Sequence, residues 1–572
     1  MSVKSITRFL IISSAALFCN TANSQILNEL GSVHGNFQID AAYYQKDTII
    51  DADPGSELFR YNAFGNINYS KGGFSAGVRF ESYNPPLLGY LPGYKGSGVP
   101  YRFARYQHKD IDITVGNFYE QFGSGITLRA YENRGLLYDN ALDGMRVIFT
   151  PKRGITIKGL VGKQRTYFSL SPGVVRGIDG EVNIMDLFDS ILGKSKTKII
   201  IGGSFVSKYQ EDQNPTLVLP QNVATGAGRF TVIRGGFNFN AEYANKANDP
   251  SYQNKYSYQQ GHAVIASASY GTDGFSAMLS GKMLDNMSFR SDRDAQNTID
   301  MINYHPDFSK FHTYSLMAYY PYATQPNGEV GGTGEIQYKV KKDTWLGGKY
   351  GMDITLNGSA YFALDTIGIS PISDTLNNYK YKTNYSGVGD KFFHDVNIEI
   401  TKKFTKKVKM TVMYANQFLN QSIVQFNTPD KEEHPDIASH IGVVDLTWRY
   451  KTGSAIRFEA QGFFADYDYK EHAIDANGNK NITSNTGSWL SALIEWTPTS
   501  HWSITLADQY NYENPDATKK IHYYFGMLGY TNGPTRISVS YGRQRQGIFC
   551  AGGVCRFVPS SSGLNISISS SF

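Results

Sequence analysis

Residues 564–572 read Leu564-Asn565-Ile566-Ser567-Ile568-Ser569-Ser570-Ser571-Phe572. Leu564, Ile566, Ile568, Ser570 and Phe572 fall on one face of an extended strand, and Asn565, Ser567, Ser569 and Ser571 on the other, because successive side chains of a strand point to opposite faces. The same period of two recurs from residue 32 onward. Phe74, Ala76, Val78 and Phe80 oppose Ser75, Gly77, Arg79 and Glu81. Val396, Ile398 and Ile400 alternate with Asn397 and Glu399; Ile456, Phe458 and Ala460 alternate with Arg457, Glu459 and Gln461; Trp502, Ile504 and Leu506 alternate with Ser503, Thr505 and Ala507. In a soluble sandwich each apolar face would pack on a second layer, but the sequence holds no amphipathic helix of useful length. Hydrocarbon is the simplest cover. Hydrocarbon cannot solvate an open strand edge, so the sheet must close on itself. The expected fold class is all-β: a single large antiparallel transmembrane β-barrel of about 22 strands, with 18 to 24 as the range and an even count.

Composition agrees. Tyr (40), Phe (34) and Gly (57) are abundant, Cys (3) is scarce, and mean hydropathy is −0.36. A helical membrane bundle needs runs of about 20 apolar residues. The only long apolar run is Phe9 to Phe18. A barrel hides its membrane character, because every second residue of a strand faces the lumen and is free to be polar. Abundant aromatics fit girdles at the two interfaces. The formal charge of +5 is small and interspersed, so no nucleic-acid footprint is present.

The first 24 residues read as a secretory signal. Lys4 and Arg8 precede the apolar run, and Ala22-Asn23-Ser24 offers small residues for cleavage before Gln25. Bulky Phe18 before Cys19 argues against a lipid anchor. The expected organisation is a signal peptide, 1–24, and one barrel domain, 25–572, in the cell outer membrane of a Gram-negative cell. Cys550 and Cys555, the two remaining cysteines of an exported chain, are expected to form a disulfide.

Turn lengths alternate. Short polar turns are read at 70–73, 109–110, 151–154, 271–274, 401–407, 451–453, 498–500 and 531–534. Long connections are read at 84–100, 119–142, 209–229, 288–310, 366–387, 420–440, 470–487 and 546–562, and are expected outside the cell. Stretches 230–260 and 311–330 fit either a strand pair or part of a long loop.

No Gly-x-Ser-x-Gly elbow, Walker loop, His-Glu-x-x-His or Cys-His cluster occurs, so neither enzymatic activity nor a cofactor or metal is expected. The histidines are scattered, and His305, His312, His434 and His440 fall in or near loops. The densest polar constellation spans Asn117 to Arg146, with Glu120, Arg129, Glu132, Arg134, Asp139, Asp143 and Arg146 alternating in sign. Such a connection could fold into the lumen and set a constriction; a self-paired brace needs the same ion pairs, and both readings stand. Arg79 and Glu81, opposite an apolar face, are expected to line the lumen with it, since an Arg on the lipid side costs about 2–4 kcal/mol at mid-membrane. Near the C-terminus, Arg543, Arg545 and Arg556 form a candidate extracellular basic patch for lipopolysaccharide phosphates or a partner's acids. Strict parity from Ile537, Val539 and Tyr541 would aim Arg543 and Arg545 at lipid, so a bulge or a position above the hydrocarbon is expected. Phe572 resembles the terminal signal read by the barrel-assembly machinery.

The segments Gly116-Asn-Phe-Tyr-Glu-Gln-Phe-Gly-Ser-Gly125, Tyr138-Asp-Asn-Ala141, Gly542-Arg-Gln-Arg545 and Cys550-Ala-Gly-Gly-Val-Cys-Arg556 resemble an uncharacterised Bacteroidota outer-membrane family, a domain of unknown function. The resemblance implies a large porin-like barrel over nearly the whole mature chain and no particular activity or ligand. The function expected is a porin-like channel for passive or facilitated diffusion of small polar solutes. The alternative is a non-conducting barrel that docks surface lipoproteins or an assembly or secretion complex. The partners expected are outer-membrane lipid and lipopolysaccharide, the assembly machinery during biogenesis and, in the alternative, a lipoprotein or complex.

Overall fold

In a computed structural model, residues 31–192, 195–296, 299–368, 381–426, 434–469, 480, 482–551 and 554–572 are described. The expected signal peptide, 1–24, lies outside the described residues. Twenty-four strands form one sheet in which each pairs antiparallel with its neighbours. The first, Ser32–Gln45, pairs on one side with Phe59–Lys71 and on the other with the last, Ser561–Ser571, so the sheet is a closed ring. The count is 24 rather than about 22. The stretch 230–260 holds the end of Asn222–Arg234 and all of Phe237–Lys246, joined by Gly235-Gly236. The geometry there requires glycine: Gly235 has φ +56°, and a Cβ on Gly236 would lie 1.9 Å from the Gly271 carbonyl oxygen. The stretch 311–330 instead belongs mostly to a long loop.

Connections differ sharply between the two ends of the ring. At one end they are tight, as at 72–73, 109–110, 153–154, 273–274, 452–453 and 533–534, and the largest are 184–196 and 341–351. At the other end they run 46–58, 84–95, 119–141, 210–221, 247–260, 286–327, 512–521 and 545–560; 167–168 is the exception. Parts of the loops expected at 366–387, 420–440 and 470–487 fall outside the described residues.

The burial pattern is inverted relative to a soluble protein. Val115, Ile178, Phe205, Val396 and Leu506 are more than half exposed, whereas Arg79, Glu81 and Asn397 on the opposite strand face are buried. Apolar exposure repeated around the wall is far beyond the few hundred Å² a soluble monomer tolerates. No described helix is long and apolar enough to cross a membrane; the strands make the apolar belt.

Ring closure rests on a close approach. Phe572 and Gly35 exchange two backbone hydrogen bonds, at 2.9 and 3.0 Å. A Cβ on Gly35 would stand 2.4 Å from the Asn66 carbonyl oxygen and 2.8 Å from the Phe572 ring. Gly35→Val is therefore expected to lower the fraction of protein that runs as a folded barrel on unboiled gels, at a cost of about 1–3 kcal/mol. Phe572→Ala, which keeps the backbone bonds, is expected to lower it less. Equal folded fractions for Gly35→Val and the parent would contradict this account of closure.

Candidate lumenal site

The connection 286–327 turns into the lumen, and one ion pair explains how it is held. Lys282, on Phe275–Asp285, and Glu329, on the adjacent Gly328–Val340, meet at 2.6 Å with both side chains fully buried. The Lys282 ammonium also donates to the Pro306 carbonyl (2.6 Å) and to Thr324 Oγ1 (3.1 Å). The Glu329 carboxylate accepts from the Gln325 amide at 2.7 Å and from the Tyr322 hydroxyl. Both limbs of the loop are thus tied to one buried pair.

From that anchor the loop crosses the lumen. Its first limb packs Met287, Phe289 and Ile302 against the wall and against the 119–141 loop, which also folds inward. The two loops share backbone bonds from Arg129 N to Ile302 O (2.8 Å) and from Tyr304 N to Gly125 O (2.9 Å), and Asn140 Nδ2 donates to Met301 O (2.8 Å). The second limb packs Leu316, Met317, Tyr319 and Tyr320 against Phe463, Trp489 and Tyr523 on the opposite wall.

The residues singled out in the sequence are tied into this brace. Arg79 meets Glu81 at 2.7 Å, Glu132 at 3.0 Å, and Asp139. Arg165, which sequence reasoning missed, completes the cluster through Asp139 (2.5 Å) and Glu81. Arg134 pairs with Glu132 at 2.8 Å and lies over the Phe64 ring. Glu120 forms a second cluster with Arg146 (3.3 Å) and Lys158 (2.8 Å). Asp143 pairs separately with Arg102 at 3.0 Å. Arg129 sits between the Tyr131 and Tyr304 rings, 4.3 and 4.0 Å from their centroids.

Cys550 and Cys555 are joined and clip the hairpin Gly547–Ala551/Val554–Val558. The three arginines near it do not make one free patch. The register from Arg536 to Gln544 runs without a bulge, so Arg543 stays on the side of Ile537, Val539 and Tyr541, paired at the rim with Asp47 at 2.7 Å. Arg545 lies over the Tyr319 ring, and Arg556 over the Tyr90 ring. Three different aromatic and acidic partners draw them apart.

What the loops leave open is a cavity of about 900 Å³. Lys310, Phe311 and His312 of the crossing loop line one side; Arg457, Gln509 and Asn565 of the wall line the other. It reaches from Phe549 on the clipped hairpin to Arg457, near the tight-turn end of Ser454–Asp468. At that depth Arg457 holds Asp445 at 2.9 Å, Glu495 at 3.9 Å, and Glu459. Nearby, Lys310 pairs with Glu399 at 3.6 Å and His312 with Asp395 at 2.5 Å. None of the nine residues expected at a constriction lines this cavity. Among the described residues, no three His, Cys, Asp or Glu side chains are grouped to hold a metal ion.

Two outcomes follow from the anchoring of the loop. Lys282→Met strands a buried carboxylate at Glu329, so the docked loop should lose about 3–5 kcal/mol and the amides of 286–327 should exchange faster. Lys282→Met combined with Glu329→Gln should recover part of that protection. The second outcome concerns pH. Burial, reinforced by the Lys282 charge, pushes His305 down to about 3, so the ring is neutral when docked. An undocked histidine titrates near its ordinary value of 6.5. Protonation thus favours release: docking is strongest above pH 6.5 and weakens as pH falls toward 3. Hydrogen exchange corrected for intrinsic rate should show this loss in the parent and not in His305→Gln.

No curated protein matches the chain in sequence. Among solved structures, the P pilus usher translocation pore aligns at 9% identity over 94% of this chain and 99% of its own, with a TM-score of 0.43. A mutant of the ferric enterobactin receptor of Pseudomonas aeruginosa aligns at 10% identity over 95% of this chain and 80% of its own, with a TM-score of 0.42. The outer membrane protein OpdK of Pseudomonas aeruginosa aligns at 9% identity over 68% of this chain and 93% of its own, with a TM-score of 0.35. The sequence itself matches one family profile from residue 4 to residue 572, and the chain belongs to that family, DUF6029, a family of unknown function.

Proposed function

We propose that this barrel sits in the outer membrane with its long loops outward and passes small polar solutes along the lumenal cavity. The observation that carries the reading is the cavity itself. The crossing loop leaves about 900 Å³ open along one wall, from the loop rim to Arg457 near the other end. A chain selected only as a filled scaffold has no need of such a space lined by Gln509, Asn565, Lys310 and Arg457. Both signs of charge face it, so passage favours neither cations nor anions strongly. The crossing loop, not the 119–141 loop, sets the width.

Purified protein in planar bilayers should give stepwise conductance with a weak ion preference. Arg457→Glu leaves Asp445, Glu459 and Glu495 without their shared cation. It should raise the cation-to-anion permeability ratio several-fold. Arg129→Glu, away from the cavity, should leave the ratio near that of the parent. Electrical silence of the parent, with partners co-purifying in gentle detergent, would favour the scaffold reading instead.

A further inference from the structure

A second cavity, of about 390 Å³, lies among the long loops beside the brace. Separate segments converge on it: Tyr90 and Tyr94 from the 84–95 loop, Tyr138 from the brace, Tyr167 from the 167–168 turn, and Arg556 from the clipped hairpin. Its size falls in the ordinary range for a small-molecule site. Nothing in the channel reading uses it.

Arg556 is unlike the other arginines of this region. Arg79 and Arg165 are both matched to carboxylates. Arg556 has no carboxylate partner among the described residues. Its Nη1 donates to the Gly89 carbonyl at 3.4 Å, and its guanidinium carbon lies 4.6 Å from the centroid of the Tyr90 ring. Its Nε is shut off from solvent and has no hydrogen-bond partner. A partly buried guanidinium with no counter-charge favours an incoming anion on its open side. Gly89 shapes the cradle. Its φ is +83°, and a Cβ there would press within 3.1 Å of Arg556 Nη1 and 3.2 Å of the Phe557 carbonyl oxygen. Glycine at 89 thus leaves the guanidinium room beside this loop.

We propose that this cavity binds a monoanionic sugar of the uronate type, with its carboxylate on Arg556 and its ring against the tyrosine faces. A carboxylate matches the planar fork of a guanidinium and supplies the charged partner that Arg556 lacks among the described residues. The C–H face of a pyranose packs on the electron-rich face of a tyrosine ring. Asp300, which lines the cavity, accepts from a sugar hydroxyl, and Tyr167 offers a hydroxyl with no partner among the described residues. A neutral sugar leaves the Arg556 charge without a counter-charge. A dianion such as phosphate meets Asp300 in the same lining and finds, among the described residues there, only one cation without a carboxylate partner, Arg556. A flat aromatic acid fills the arginine and leaves the hydroxyl-binding groups idle. The site does not require the lumen to conduct.

The test is calorimetric titration of the full barrel in detergent with glucuronate, glucose, benzoate and inorganic phosphate. Glucuronate should bind saturably and at least about tenfold tighter than the other three, the scale of one charge-assisted contact. Arg556→Gln should weaken glucuronate by roughly tenfold or more. Arg556→Lys, which keeps the charge and loses the fork, should fall between. If Arg556→Gln fails to fold, the lysine variant carries the comparison. Absence of saturable glucuronate binding, equal affinity for glucose, benzoate or phosphate, or unchanged affinity in the folded Arg556 variants would overturn the proposal.

Discussion

Hydrocarbon offers no hydrogen bonds, and the architecture follows from that constraint. Every backbone group on a lipid-facing strand must find its partner inside the sheet. The ring satisfies this only if its first and last strands meet, and they do, from Asn36 opposite Ser571 to Gln45 opposite Ser562. Closure brings a second requirement. A ring of 24 strands encloses more space than its own inward side chains fill. The remainder holds water, folded loops, or both. Here two loops fill part of it and leave a cavity beside them.

Filling a lumen with loops raises the problem of their polar backbone, which must be satisfied away from bulk water. The 119–141 and 286–327 loops answer it jointly, each giving amides and carbonyls to the other. The Lys282–Glu329 pair adds placement. A buried ion pair contributes little net stability against an apolar replacement of the same shape, yet losing one member is severe. Such a pair therefore fixes where the loop sits more than it strengthens the fold. Its reach to Pro306, Tyr322, Thr324 and Gln325 makes that placement unambiguous.

The wall was legible in the sequence because period two is a direct consequence of strand geometry. Tight turns such as Lys109-Asp110 were legible because lysine, aspartate and glycine mark them. Arg234-Gly235-Gly236-Phe237 carries the same pattern as Lys71-Gly72-Gly73-Phe74, so the hairpin had a local signal, and what left 230–260 ambiguous was the long polar run 247–260 that follows it. The crossing loop escaped for a different reason: its partners lie far off in sequence, and pairing such as Lys282 with Glu329 is invisible until the strands are placed side by side. One signal did exist. Phe418-Leu419, Phe463-Phe464, Trp489-Leu490 and Tyr523-Tyr524 are apolar on both faces near the loop ends of their strands, and Phe392-Phe393, midway along Tyr381–Lys403, lies beside Leu419. Lipid accounts for one face only. The other demanded an apolar partner inside the ring, which Leu316, Met317 and Tyr319 supply.

Alternation of charge sign singled out residues 117–146, and the structure ties most of those charges into the brace. The side chains of Arg79 and Glu81 are 4% exposed and saturated by mutual contacts. Arg457 and Glu495 are 32% and 40% exposed. A passing solute feels only charges it can approach, because fully paired buried ions present little net field at a distance. On the proposed channel reading the 117–146 segment is therefore poorly placed to select, since its charges are already matched to one another. On that reading selectivity falls to charges that border the cavity, as Arg457 does, and exposure, more than abundance, decides which those are.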